Sequence, residues 1–104
     1  MTTVDLGFRA LPMTVVLAEG GGYAAALVAE GGWPADVSIE LRFPRPAGAA
    51  PVVWPAVVDG DRAAWAVEPD EVAQLIAARP RKARLVYRAG DVELVWMVGP
   101  VDVL

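Results

Sequence analysis

Cysteine, histidine and asparagine are absent from this sequence of 104 residues. The first two absences exclude disulfides, thiol nucleophiles, zinc and iron–sulfur sites built from these ligands, and every histidine-dependent catalytic triad. No stretch reaches the roughly eighteen apolar residues that a membrane span needs. Asp5 and Arg9 stand where a signal peptide would have a basic start and an apolar centre. We therefore expect a protein made in the cytoplasm that is not an enzyme, has no cofactor or metal, and does not enter a membrane.

Charge and hydropathy both favour protein partners. Thirteen acidic residues against nine basic ones give a net charge of −4 and a pI of about 4.6. A duplex-binding domain shows the opposite sign, so we expect no nucleic acid partner. The length is that of one domain, and we treat residues 1–104 as a single domain. Because 56% of the residues are hydrophobic, some apolar side chains of so small a domain must stay exposed or be buried against another chain.

Period-two alternation marks the clearest strand, Val37–Phe43. Its apolar residues fall on one face and its polar residues on the other, which is typical of an antiparallel strand with one wet face. Two apolar runs before it, residues 13–18 and 23–29, end at glycines and are predicted to be strands. Residues 44–51, with three prolines, are predicted to form a loop.

Gly60 and Asp61 are predicted to form the turn of a hairpin between residues 52–59 and 62–67. Glycine at the first turn position suits type II′, and a type I′ turn at Asp59 and Gly60 is the alternative. The first register pairs Asp59 with Arg62, Val58 with Ala63, Ala56 with Trp65 and Trp54 with Val67, and both registers keep the same face inward. Pro55 indicates that its strand is an edge strand or carries a bulge.

A second hairpin is predicted between residues 83–89 and 92–98, through a turn at Gly90 and Asp91. The expected inward pairs are Tyr87 with Leu94, Leu85 with Trp96, and Ala83 with Val98. The expected outward pairs are Arg88 with Glu93, Val86 with Val95, and Arg84 with Met97. The apolar run 94–98 is typical of a strand covered on both faces. We therefore predict that the outward residues Val86, Val95 and Met97 lie in a subunit or partner interface.

One short helix is predicted between the hairpins, from Pro69 at the first helical position to Pro80 just beyond the end. Val72, Leu75, Ile76 and Arg79 would share one face at helical spacing. About seven short strands and one helix predict an all-β fold, a small antiparallel two-layer β-sandwich. A small closed barrel is the alternative.

The acidic and glycine clusters have structural explanations. The aspartates that flank Gly60 belong to a turn and lack the pattern of a calcium loop. The acidic residues around Pro69 complement a helix start, and the triple glycine at 20–22 is not followed by the lysine of a phosphate loop. We assign no catalytic, cofactor-binding or metal-binding residue.

Two groups remain as candidates for protein contacts. The basic cluster consists of Arg79, Arg81, Lys82 and Arg84. It can be explained as solvated charge at a helix end, or as a docking patch for a protein partner. Three of the four tryptophans fall on inward faces. The fourth, Trp33, is predicted to be partly exposed and joins the candidate interface.

Four stretches of the sequence form a recognisable combination. They are Leu6-Gly7-Phe8-Arg9-Ala10-Leu11-Pro12 leading to Thr14-Val15-Val16-Leu17; Gly32-Trp33-Pro34 followed by Val37–Phe43; Trp54-Pro55-Ala56 with Asp59-Gly60-Asp61 and Trp65; and Arg84-Leu85-Val86-Tyr87 with Gly90-Asp91, Trp96 and Gly99-Pro100-Val101. Together they resemble the LtfC-like β-sandwich domain of phages that infect actinobacteria, over nearly the whole chain. These motifs mark turns and core positions and name no active site.

The resemblance implies a virion structural protein that acts by protein–protein assembly. The expected role is a small tail- or tail-fibre-associated component of an actinobacteriophage, such as a minor tail protein. Its partners would be other virion proteins, in a homo-oligomer or another symmetric assembly. Eight arginines against one lysine fit a GC-rich genome. A head decoration protein and a carbohydrate- or receptor-binding β-sandwich module are the alternatives.

Overall fold

The computed structural model describes residues 11–45 and 48–104. The stretch 6–10 of the family resemblance and residues 46–47 of the expected loop lie outside the described residues. The elements are β1 (Leu11–Pro12), β2 (Val15–Leu17), β3 (Tyr23–Val28), β4 (Val37–Phe43), β5 (Val52–Pro55), β6 (Val57–Asp59), β7 (Arg62–Val67), α1 (Pro69–Ala77), β8 (Lys82–Ala89) and β9 (Val92–Val103).

The strands form two sheets around one core, which confirms the predicted all-β sandwich. The large sheet has the order β1-β9-β8-β4-β5, and β2 also pairs with β9. The small sheet has the order β3-β7-β6. Both β1 and β2 run parallel to β9, whereas the other pairings are antiparallel. The N-terminal strands therefore close one edge of the large sheet.

The first predicted hairpin is correct at its turn and at the pair of Val58 with Ala63, and it is wrong beyond that pair. Asp59 pairs with Arg62 as expected, and Gly60 has a φ of 62°, which a two-residue hairpin turn requires at its first position. Farther along, Trp54 pairs with Leu41 of the large sheet and not with Val67. The strand changes sheets after Pro55, whose nitrogen cannot donate to a ladder, and the next amide, at Ala56, donates to the Ile39 carbonyl at 2.8 Å. The expected pair of Ala56 with Trp65 is therefore wrong.

The second hairpin contains a bulge that the predicted register lacks. Val86 pairs with Val95, but the next residue, Leu85, pairs with Met97, so that Trp96 is the extra residue. Two residues then oppose one, and both Trp96 and Met97 pack against the core. The expected pairs Leu85 with Trp96, Ala83 with Val98, and Arg84 with Met97 are wrong for this reason.

The helix buries the apolar face that the sequence predicts, except at its end. Val72 and Leu75 are each 1% exposed, and Ile76 packs against the core. The helix stops at Ala77, with Ala78 as its C-terminal cap. Arg79 follows the cap in the left-handed region, with a φ of 54°, and it does not continue the buried face as predicted.

Aromatic side chains fill the core between the sheets. The Trp65 indole of the small sheet donates to the Trp54 carbonyl of the large sheet at 2.8 Å. The Trp54 ring lies 4.9 Å from Phe43 and 5.6 Å from Tyr23, between ring centroids. Burial raises the pKa of the Tyr23 hydroxyl. The two sheets are thus joined by an aromatic cluster and one buried side-chain hydrogen bond.

Gly99 is required where the N-terminal segment crosses β9. A Cβ atom at this position would lie 1.5 Å from the Met13 carbonyl oxygen. The Met13 amide also donates to the Val98 carbonyl at 3.1 Å. Because only glycine permits so close an approach of two backbones, this residue fixes how β1 and β2 join the sheet.

Candidate interaction surfaces

The outer face of the large sheet holds a network of ion pairs. Glu93 of β9 lies opposite Arg88 of β8, as predicted, and the Arg88 Nε donates to a Glu93 carboxylate oxygen at 3.1 Å. Arg42 of β4 donates to Glu40 at 2.6 Å and also to Glu93 at 3.4 Å. Two arginines and two glutamates from three strands therefore neutralise one another on this face.

Hydrogen bonding within this network shifts the pKa values of the central pair. The hydrogen bond from Arg88 lowers the pKa of the Glu93 carboxyl, and the positive charges of Arg88 and Arg42 add to that effect. The same hydrogen bond raises the pKa of Arg88. Both groups therefore stay charged at neutral pH, which suits a surface structure and not proton transfer.

Val86 is buried beneath this network and is not an exposed interface residue. It is 3% exposed although its side chain points away from the main core. Its cross-strand neighbours are Glu40 and Val95, and Arg42 reaches past it to Glu93. An arginine stem covers apolar surface well. The chain itself thus covers the valine that the sequence assigned to a partner.

The other candidate interface residues separate onto two faces. Val95 keeps the outward position and is 38% exposed. Met97 turns inward at the bulge and packs against the core, which corrects its predicted outward position. Trp33 is half-buried, and its ring lies 5.8 Å from Trp96 and 6.3 Å from Tyr87. Val95 is therefore the one member of the predicted group with an open outward side chain, and its contact with a partner stays a prediction.

Trp33 closes the end of the sandwich opposite α1. Its backbone amide donates to the Gly60 carbonyl at 3.1 Å, which ties it to the small sheet. Its indole packs on the large sheet, and the indole nitrogen is buried without a partner among the described residues. The three rings of this cluster are tilted against one another by 42° to 80°. These rings pack tilted or edge to face on one another and do not form a flat aromatic surface on which a ligand could stack.

A groove with basic walls lies between α1 and the loop after β4. We name it the basic groove. Its basic lining residues are Arg45, Arg79, Arg81 and Lys82, and its apolar lining residues are Pro44 and Ala78. Its volume is ≈ 600 Å³. Arg84, the last member of the predicted cluster, lies in an adjoining groove that also contains Arg42 and Arg45. The structure therefore brings three of the four predicted residues together and adds Arg45. The sequence signal for Arg45, a lone arginine among prolines, was too weak to find it.

The outer face of the small sheet is apolar for most of its length. Ala24 lies opposite Ala66, and Ala26 lies opposite Ala64. Val57 is 73% exposed and Val28 is 66% exposed at the flanks of these alanines. The sequence of β3, Tyr-Ala-Ala-Ala-Leu-Val, has no charged residue. Without alternation of apolar and polar residues, the local pattern does not mark which side of β3 faces outward.

The described residues show neither a metal-ligand cluster nor a spanning helix. In residues 11–45 and 48–104, no three acidic side chains come together in a group that could hold a metal ion. Across the same residues, no helix has the length and apolar character to cross a membrane.

Comparisons with known proteins identify the family and not a precise role. No significant match was found among curated proteins. The structure is similar to the 1.4 Å crystal structure of an uncharacterized protein from Bacillus anthracis str. Ames, with a TM-score of 0.44, 10% sequence identity, and coverage of 95% of this chain and 90% of that chain. The sequence profile of the LtfC-like, beta-sandwich domain matches residues 10–103. This match supports a phage-associated β-sandwich protein, and by it the chain belongs to the LtfC-like β-sandwich domain family.

Proposed function

We propose that this protein is a non-enzymatic structural component of a phage particle, made in the host cytoplasm and carried in the virion. Membership of the LtfC-like family over residues 10–103 is the observation that carries the proposal. Within that role we favour a tail- or tail-fibre-associated position, such as a minor tail protein of an actinobacteriophage.

The two outer faces support a role in protein assembly. On the large sheet, Arg42, Arg88, Glu40 and Glu93 are paired within the chain, whereas the small sheet leaves alanine and valine side chains exposed. Exposed apolar residues gathered on one face are a common form of protein contact. Among the described strands, β3 is also an edge strand, with six residues and no proline or charge. It lacks the features that usually prevent edge pairing. These features favour other virion proteins or further copies of this chain as partners.

The structure gives less support to a carbohydrate-binding module. Such a module needs aromatic rings that a sugar can stack on. The rings of Trp33, Tyr87 and Trp96 pack on one another and on the core. We therefore propose no second function.

Mass spectrometry of purified virions, separated into head and tail fractions, tests the proposal. We expect the protein in the tail fraction, at a copy number that is constant between preparations. Detection in heads alone would favour the head decoration alternative. Absence from intact virions, with the protein present in infected-cell lysate, would overturn the virion role.

Self-association tests the assembly part. Ala26→Glu places a charge on the small-sheet outer face, and Ala73→Glu places the same charge on an exposed position of α1. We expect sedimentation to show oligomers for the wild type and for Ala73→Glu, and fewer of them for Ala26→Glu. Equal oligomer populations in all three proteins would exclude this face as the contact.

A further inference from the structure

The basic groove concentrates positive charge in a protein that is acidic overall. Together with the adjoining groove it contains six of the chain's nine cationic side chains, Arg42, Arg45, Arg79, Arg81, Lys82 and Arg84. No acidic residue is found among the described residues that line either groove. The chain as a whole carries a net charge of −4. Apart from Glu40 and Glu93, which pair with Arg42 beside the adjoining groove, the acidic residues are not found at these grooves, and the charge distribution is asymmetric.

Five of these six cations form no ion pair among the described residues. Of the six, Arg42 alone forms an ion pair, with Glu40 and Glu93. Arg42 and Arg84 also lie directly opposite each other on neighbouring strands, and like charges in that position repel. Folding thus brings positive charges together without a compensating partner, which a docking site for an anionic group would supply.

The ordinary explanation, that these cations stabilise the end of α1, does not fit the geometry. Positive charge is favourable within the last turn of a helix, and the last turn of α1 contains no basic residue. Arg79 lies beyond the cap with a φ of 54°, a position where helices usually have glycine because a side chain is strained there. The chain therefore has an arginine in the wall of the groove at a site where glycine would favour the fold.

We propose that the basic groove binds an acidic segment of a partner protein in the assembled particle. Arginines recognise carboxylates through paired hydrogen bonds, and arginine clusters recognise acidic protein motifs. The apolar lining at Pro44 and Ala78 suits the stems of such side chains. A long polyanion such as duplex DNA would meet repulsion from the remaining acidic surface. A short acidic segment contacts the groove alone and avoids this repulsion. The inference rests on the proposed assembly role and names the chemistry of one partner.

The experiment measures binding of a fluorescein-labelled oligo-glutamate peptide by anisotropy, with an oligo-glutamine peptide and a single-stranded DNA oligonucleotide as comparison probes. Ionic strength is set to about 20 mM and then about 150 mM, because salt screens such contacts. We expect preferential binding of oligo-glutamate, weaker at the higher salt. Amide shifts in a ¹⁵N NMR titration should centre on Arg45, Arg79 and Lys82.

Two groove variants and one control variant outside the groove locate the effect. Arg81→Glu with Lys82→Glu should weaken oligo-glutamate binding about tenfold or more, because two exposed charge contacts are reversed. Arg79→Gly should weaken binding roughly two- to fivefold while the melting temperature stays equal or rises, since glycine relieves the left-handed backbone. A purely structural role for Arg79 predicts unchanged binding. Arg62→Glu changes a single exposed charge on the small sheet, outside the groove. In this variant the peptide should still shift the amide signals of the groove residues.

Three results would overturn the inference. They are equal binding of oligo-glutamate and oligo-glutamine, an Arg62→Glu effect as large as that of the groove variants, or tighter binding of the DNA oligonucleotide, which would indicate a nucleic acid site. If the protein is found in virions but does not bind oligo-glutamate, this inference is wrong and the proposed function is not affected. A protein absent from virions contradicts the proposed function, whatever the peptide result.

Discussion

The two sheets share one core and differ in how they meet their surroundings. On the large sheet, Arg42, Glu40, Arg88 and Glu93 form ion pairs on the outer face, and Val86 is buried beneath them. On the small sheet, the corresponding face is mostly alanine and valine, with Val57 and Val28 mostly exposed. The large sheet thus pairs the charges of Arg42, Glu40, Arg88 and Glu93 within a single chain, whereas the small sheet leaves apolar side chains open, which is the feature behind the proposed protein contact.

The largest effect should come from the core that the sheets share. Trp65→Ala removes a ring that is 4% exposed and the hydrogen bond to Trp54, and it should cost about 3–5 kcal/mol of unfolding free energy. Urea denaturation followed by circular dichroism would measure it. We expect one cooperative transition in the wild type and in the variant.

A smaller substitution at the same site separates packing from hydrogen bonding. Trp65→Phe keeps most of the ring and leaves the buried Trp54 carbonyl without its donor, so it should cost about 1–3 kcal/mol. If the small sheet unfolded before the large one in any of these proteins, the sheets would be independent units and the comparison of two faces of one sandwich would fail.

The sequence predicts those parts of this architecture where local pattern decides the structure. Val37–Phe43 is correct to the residue because its alternation matches a sheet with one wet face. Both hairpin turns are correct because glycine supplies the positive φ at Gly60 and Gly90. The change of sheets after Pro55 could not be predicted from local pattern, because it depends on which strand is free to pair with Trp54.

The candidate surfaces were less predictable, since each depends on tertiary geometry. One bulge residue at Trp96 reverses the direction of Met97, and nothing in the local pattern marks it. Val86 is covered by Arg42 from another strand, a contact between residues far apart in the sequence. Arg45 joins the basic groove only because the loop after β4 folds toward α1.

The second prediction concerns the N-terminal strands, which the large sheet has and the small sheet lacks. Gly99→Ala would place a methyl group 1.5 Å from the Met13 carbonyl oxygen. Because that neighbour is backbone, β1 and β2 must shift, and the cost should be about 3 kcal/mol, at the upper end of overpacking effects. Thermal unfolding would measure it.

Gly21→Ala is the matched control for this substitution. The nearest atom to a Cβ at Gly21 is the Ala18 carbonyl oxygen at 3.6 Å, an ordinary contact. This variant should stay within about 0.5 kcal/mol of the wild type. A similar effect of both substitutions would show that the crossing of Met13 over Gly99 is not tight in solution.

The third prediction uses two neighbours on β9 that point to opposite faces. Met97→Asp puts a carboxylate against the core and should cost about 1–3 kcal/mol. Val95→Asp adds the same group on the outer face, near Arg42 and Arg84, and should change stability by less than about 0.5 kcal/mol. Chemical denaturation of both variants measures the difference. Equal losses would indicate the regular register without the bulge at Trp96.

The smallest effect should come from the ion-pair network that distinguishes the large sheet. Hydrogen bonding to Arg88 lowers the pKa of Glu93 in the folded protein below its ordinary value of 4.5. A lowered folded-state pKa stabilises the protein at pH values above the unfolded-state pKa, and this contribution is lost as the pH falls through the folded-state pKa.

The melting temperature of Glu93→Gln should therefore lie slightly below that of the wild type at pH 6 to 7. The two values should converge as the pH falls below 4.5 and through the lowered folded-state pKa. Because the pair is exposed, salt near 1 M should remove most of the difference. Glu30→Gln removes an exposed carboxylate beyond the end of β3. It serves as the control, and its melting temperature should stay close to that of the wild type at pH 6 to 7. A difference between wild type and Glu93→Gln that persists unchanged from pH 7 to pH 3 would mean that the side chain acts through packing, and that the outer face of the large sheet does not depend on charge.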